Sequence, residues 1–208
     1  MALLTRDRIL EVARETVERD GYEQLSLRRL AGALEVTAPA LYDHVDSKGA
    51  LLRLVADEGF AELVSATSSD AGTPIRRVRE RALAYVRFAR QHAELFRLMF
   101  MYRPDAVDID VDNVLPGASH AWHVAVTDVR TAIADGDIAD RDPLQVAMTL
   151  WVSMHGVATI ATRAPAVAES VAAHVIDTLL AGLHPDAAGE PRTHHPDRGN
   201  GPTRPPTS

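Results

Sequence analysis

Apolar residues recur every three or four positions along most of the chain, the period of an amphipathic helix, and no stretch alternates as a strand. Ile9, Leu10, Ala13 and Val17 share one helical face, with Thr5 placed to cap the start and Gly21 to end it. Leu27, Leu30, Ala31 and Leu34 mark a second, short helix from Ser26. A third, over 38–44, opens at Thr37 with Pro39 in its first turn, where a missing N–H costs nothing. Ser47 caps a longer fourth helix carrying Leu51, Leu52, Val55, Phe60, Leu63 and Val64. Beyond a loop ending at Thr73 and Pro74, a fifth helix over 75–92 has Val78, Ala82, Tyr85, Val86 and Ala89 as its apolar stripe. A sixth, over 92–102, is stopped by Pro104, and a polar loop follows over 105–117. Three more are predicted over 118–135, 143–162 and 165–183. From His184 onward Pro, Gly, Arg and His dominate, which predicts a disordered tail.

The pattern predicts an all-α protein of about nine helices. Residues 1–46 form an N-terminal three-helix unit, and 47–183 form a helical bundle whose first helix (47–68) connects the two. Residues 184–208 are the tail.

Composition narrows the chemistry. The chain has 208 residues, 46% hydrophobic and 25% charged, ample for a packed core. It has no cysteine, which excludes disulfides, thiol catalysis and zinc sites built on sulfur. Arg6, Asp7, Arg8 and Glu11 interrupt any signal-like apolar start, and no apolar run approaches the ~20 residues of a membrane span. A cytoplasmic protein with no membrane partner is expected. The net charge of −7 gives no general attraction to phosphate. Even between Ser26 and Arg53 the basic residues Arg28, Arg29, Lys48 and Arg53 face Glu35, Asp43 and Asp46. A case for nucleic acid must therefore rest on pattern.

That pattern is present. Two short helices joined by a tight turn let the first brace the second against DNA, so that the second enters the major groove. The start of the second must carry short residues for close approach, and Thr37, Ala38, Pro39 and Ala40 suit this. Tyr42 and His44 follow, where both can donate to phosphate. Lys48, the only lysine among 22 basic residues, lies in the first turn of the next helix, beside amides that favour anions. Each has a plainer structural alternative: Tyr42 as a core aromatic, His44 as a helix-ending cation, Lys48 as an accident of composition, Arg28 and Arg29 as solvated charges.

Residues 5–54, and most specifically Ala38-Pro-Ala-Leu-Tyr-Asp-His-Val-Asp-Ser-Lys-Gly-Ala-Leu-Leu52, resemble the TetR family of regulators. The resemblance implies that Tyr42, His44 and Lys48 bind phosphates. It also implies that Arg28, Thr37, Ala38, Pro39 and Ala40 face bases or their methyl groups. Asp43 departs from the family pattern, since an acid there repels phosphate unless it accepts from a cytosine amine. With alanines at 38 and 40, Arg28 becomes the best candidate for a guanine contact.

Farther along, Trp151-x-x-x-His155-Gly156 and the run His92-x-Glu-Leu-Phe-Arg-Leu-Met-Phe100 resemble a TetR subgroup with a Trp-His-Gly signature in its C-terminal domain. The resemblance implies that this half binds a small molecule and dimerises. Candidate ligand residues are Phe96, Met99, Phe100, Trp122, His123, Met148, Trp151 and His155, since aromatics and methionines with a few polar groups line small-molecule cavities. Core or interface packing is the alternative for each. Dimerisation also follows from the residues themselves: Val167, Val171, Ala172, Val175, Ile176, Leu179, Leu180 and Leu183 cover more than one face of the last helix.

The expected function is a homodimeric regulator that binds a palindromic double-stranded DNA operator, a repressor released by a small-molecule effector of unknown identity. An effector-independent or activating regulator is the alternative. His120 and His123 share a helix face and, with His155, raise a metal sensor; Asp105, Asp108, Asp110 and Asp112 lack the glycine and distal Glu of a calcium loop. No Gly-x-Ser-x-Gly elbow, phosphate loop or His-Glu-x-x-His motif occurs, so no enzyme, cofactor or bound metal is expected.

Overall fold

The computed structural model describes residues 4–70, 72–101 and 116–188. Helix α1, Arg6–Asp20, starts where Thr5 Oγ1 accepts from the Arg8 amide at 3.3 Å. It stops at Gly21, whose φ of 84° carries no penalty on a residue without a Cβ. A 3₁₀ turn, Tyr22–Gln24, leads to α2, Leu27–Ala33. Helix α3, Ala38–Tyr42, opens with Thr37 Oγ1 accepting from the Ala40 amide. Helix α4, Lys48–Ala66, opens with Ser47 Oγ accepting from the Ala50 amide at 3.0 Å. Leu10, Ala13, Val17, Leu25, Leu30, Leu41, Val45, Leu51 and Leu52 are all buried and form the core of this N-terminal part.

Helices α5 (Pro74–Gln91), α6 (Ala93–Met101), α7 (Pro116–Ala134), α8 (Pro143–Ala161) and α9 (Ala168–Leu183) build the bundle. Helix α5 packs on α7, α8 and α9, while α4 runs out of the N-terminal part against α6 and α7. Its far end is pinned. Arg81 of α5 binds Asp128 of α7 at 2.7 Å and donates to the buried Thr67 Oγ1, just past α4, at 3.0 Å. The described residues thus contain nine α-helices and no strand, as the periodicity predicts.

Differences are local. Helix α3 ends at Tyr42, two residues early, because the His44 amide turns back to the Leu41 carbonyl. The last helix starts at Ala168, after a 3₁₀ turn over Pro165–Val167. The first residues of the predicted tail form a 3₁₀ turn, Pro185–Ala188. The rest of that tail, and the loop with Asp105, Asp108, Asp110 and Asp112, lie outside the described residues.

Among the described residues one helix comes near the length of a membrane span. Helix α8 has 19 residues, no charged side chain and a mean hydropathy of 1.3, so length and composition alone would let it cross a membrane. Packing accounts for it otherwise: Val146, Ala147, Leu150, Met154, Val157, Ala158 and Ala161 are buried against the bundle.

Candidate nucleic-acid interface and ligand site

The predicted DNA-facing residues reach solvent. Leu41 alone anchors α3 in the core, so Thr37, Pro39, Tyr42 and His44 are exposed and Ala38 and Ala40 half-covered. Tyr42 is 55% exposed, which removes the core-aromatic alternative for it. Arg28 is exposed on α2, beside the buried Leu30 and Ala31. Between α2 and α3, Glu35 holds a φ of 56°, a left-handed position on a side chain with a Cβ. Nothing in the apolar pattern announces that turn. Asp43 is exposed among the same residues, so this surface carries an acid as well.

Lys48 has a partner that sequence reasoning missed. Its ammonium donates to the Glu23 carbonyl at 2.9 Å, tying the start of α4 to the turn after α1. An ammonium has three donors, so this bond leaves two for a phosphate. The same turn is held from the other side. Arg97 of α6 binds Glu23 Oε1 and Glu94 Oε2, each at 2.6 Å, and its guanidinium carbon lies 5.5 Å from the centre of the Tyr22 ring. A second junction joins Arg14 and Glu18 of α1 to Glu62 of α4 and to His92, which lies 3.1 Å from Glu18. The N-terminal part is therefore linked to the bundle by charged contacts as well as by α4.

Inside the bundle, four of the eight predicted ligand residues come together. His155 of α8 stacks on Phe96 (ring centres 5.5 Å apart), meets Phe100 edge-on (4.9 Å) and lies 5.2 Å from Trp151. Sequence reading placed Tyr85 and Phe60 only in the core stripes of their helices. In fact Tyr85 Oη lies 2.8 Å from His155 Nδ1, and Phe60 packs edge-on against Phe100 at 5.1 Å. Burial pushes the Tyr85 hydroxyl well above the usual phenol range and lowers the His155 pKa from its ordinary 6.5. Both groups are therefore neutral near pH 7.

The other four lie elsewhere. Met99 is buried with its sulfur against α4 at Gly59. Trp122 packs partly buried on the core with no ring contact to the cluster among the described residues, and His123 is exposed. Met148 belongs to an exposed stripe on α8. Leu144 (53% exposed), Met148 (46%), Val152 (55%) and Ile160 (58%) recur every four or eight residues, with Gly156 among them. Val171 of α9 is also exposed, whereas Ala172 and Ile176 are buried. The uncovered apolar surface that sequence reading put on the last helix is thus carried mainly by α8. Among the described residues no three His, Asp or Glu side chains converge as a metal site.

Two families of known proteins match this chain. Residues 9–63 match bacterial regulatory proteins of the tetR family, and residues 78–183 match the tetracyclin repressor-like C-terminal domain. An HTH-type transcriptional regulator of Saccharopolyspora erythraea is 46% identical over 61 residues, 29% of this chain and 26% of that protein. The chain thus aligns with about a quarter of that relative's length. A solved Rhodococcus protein of unknown function is 30% identical, with a TM-score of 0.74, over 88% of this chain and 96% of that one. Bacillus subtilis FadR, solved in complex with stearoyl-CoA, is 12% identical with a TM-score of 0.71 over 86% of this chain and 100% of that one; this likeness is one of fold.

Proposed function

This chain belongs to the TetR family of bacterial regulatory proteins, DNA-binding transcriptional regulators, and we propose that it acts in the cytoplasm as a homodimeric repressor released from its operator by a small molecule. In this reading residues 1–46 are the DNA-binding head and residues 47–183 the ligand-binding and dimerisation domain. Tyr42, His44 and Lys48 hold phosphates; Arg28 and Thr37 choose the sequence, with Ala38, Pro39 and Ala40 offering methyl contacts. Two heads related by a two-fold axis meet successive major grooves of a palindromic site. The exposed stripe on α8, continued by Val171 on α9, is the surface that joins the protomers.

The observation that carries the release mechanism is the position of α6. One side of this helix supplies Phe96 and Phe100 to the His155 cluster, and Arg97 between them grips the turn whose carbonyl holds Lys48. A ligand that rearranges the cluster shifts α6, and with it the turn and the start of α4. The two heads then fit adjacent grooves less well. Release requires that the ligand bind the DNA-incompetent arrangement more tightly; equal affinity for both shifts nothing. That FadR, with the same fold, was solved with stearoyl-CoA supports a ligand site in such a bundle.

The DNA half of the proposal is tested by salt. Operator affinity of wild-type protein falls steeply with salt, and Lys48→Ala should weaken binding to all sequences alike and flatten the log–log slope by about one. An unchanged slope removes the phosphate role. The ligand half is tested by Trp151→Ala, which should keep operator binding while losing release by the effector found in a footprint screen.

A further inference from the structure

Hydrogen-bond direction in the aromatic cluster constrains what the cluster can bind. Tyr85 is buried, so the one proton of its hydroxyl has to find an acceptor inside the protein. The one within reach among the described residues is His155 Nδ1, at 2.8 Å. Were Nδ1 protonated instead, the Tyr85 proton would be buried without a partner, which costs about 1–3 kcal/mol. The arrangement that satisfies the buried hydroxyl has Tyr85 O–H donating to His155 Nδ1. A neutral imidazole that accepts at Nδ1 carries its proton on Nε2.

That Nε2–H meets no acceptor among the described residues. No described side-chain nitrogen or oxygen is both sealed from solvent and unpartnered, so Nε2 is open to an incoming group. The rings of Phe96, Phe100 and Trp151 pack around the imidazole as a whole, and Trp151 is 37% exposed. Helix α8 carries no Asp, Glu, Lys or Arg, and Arg97 on α6 is committed to Glu23 and Glu94. A carboxylate entering here would lose its hydration without meeting a cation, and an ammonium would face a donor. The ring faces, for their part, match a flat apolar frame.

We infer that His155 Nε2–H is the polar anchor of the effector site, and that the site takes a neutral aromatic or conjugated molecule bearing a carbonyl acceptor, such as an aryl ketone, ester or quinone. The inference rests on the proposed ligand site and sharpens it to a class.

The test uses four matched probes on the full-length protein by isothermal titration calorimetry: acetophenone, ethylbenzene, benzoate and benzylamine. Acetophenone should bind about tenfold tighter than ethylbenzene, the ratio of one well-placed hydrogen bond, and benzoate and benzylamine should bind more weakly than acetophenone. His155→Phe should bring acetophenone down to the ethylbenzene level, while His155→Gln, which retains a donor amide, should keep part of the preference and guard against a folding artefact. Equal binding of acetophenone and ethylbenzene, or a preference that survives in His155→Phe, overturns the inference. If benzoate or benzylamine binds tightest and Trp151→Ala weakens it, the class is wrong while the ligand site stands. If no probe binds, or binding ignores Trp151→Ala, the ligand site falls as well.

Discussion

Gly156 is the position where the dimer proposal can be broken with least damage to the fold. A Cβ built on it meets nothing within 4 Å, and the position is exposed, so a side chain can leave the helix there toward solvent. Arginine in place of a mid-helix glycine should even favour α8 by up to about 1 kcal/mol. The dimer has the opposite interest. Leu144, Met148, Val152, Ile160 and Val171 are each 41–58% exposed, so closing the seam buries roughly half of each. At ~1.5–3 kcal/mol for burying a whole side chain, that is about 1 kcal/mol apiece, or on the order of 10 kcal/mol over both protomers. Association costs ~4–15 kcal/mol in lost freedom and ordering, so the margin is narrow. Gly156→Arg places a guanidinium from each protomer in the middle of this seam, and burying an unpaired charge costs several kcal/mol. Its dissociation constant should rise more than about a hundredfold. Sedimentation velocity across micromolar concentrations reads this directly, with far-ultraviolet circular dichroism as the check that helix content is unchanged. Operator affinity should fall with the dimer. A Gly156→Arg protein that is folded and sediments as a dimer with the wild-type constant would refute the assignment of α8 to the seam.

Three further outcomes follow from the geometry. Glu35→Gly relieves ~1–2 kcal/mol of left-handed strain and gives back ~0.5–1 in unfolded-state freedom, so the urea midpoint should rise by the equivalent of about 0.5–1 kcal/mol; a lower midpoint counts against the turn as described. Gly117→Ala puts a Cβ 2.8 Å from Phe60 Cβ and 2.9 Å from the Asp57 carbonyl, and disturbs the 2.7 Å bond from the Gly117 amide to Asp57. It should cost ~1–3 kcal/mol and speed amide exchange at the start of α7, whereas a stabilised variant would mean that α4 and α7 do not meet so closely. His155 has a folded pKa below its unfolded 6.5, so the unfolded chain takes up its proton first as pH falls. Its contribution is complete above 6.5 and is lost on acidification from there toward the folded value, with a slope of at most ~1.4 kcal/mol per pH unit. Denaturation series for wild type and His155→Phe between pH 5 and 8 (roughly spanning this window) should differ in slope; parallel curves would mean that His155 is not held neutral.

What could be read from the chain follows the range of the interaction behind it. Caps are local, and Thr5, Thr37 and Ser47 accept from amides three residues ahead, where the sequence places them. The left-handed Glu35 is local too, but a glutamate carries no signal for it; the turn is imposed by Leu30, Ala31 and Leu41 packing on either side. Residue type suggested Phe96, Phe100, Trp151 and His155 for the ligand site. Tyr85 and Phe60 escaped because periodicity tells which face of a helix is apolar, not which third helix that face will meet. Helix α8 shows the same limit from the other side. Sequence reading put the doubly apolar surface on the last helix, whereas in the single chain it is α8 that leaves most apolar surface open. Lys48 joins the two kinds of information. Its rarity singled it out, and its place in the first turn of a helix, together with the family resemblance, suggested phosphate. Only the fold reveals that it also holds the carbonyl of Glu23, a residue that Arg97 grips from α6. In the proposed mechanism, an ammonium that can serve that carbonyl and a phosphate at once therefore lets the state of the bundle be felt at the DNA backbone.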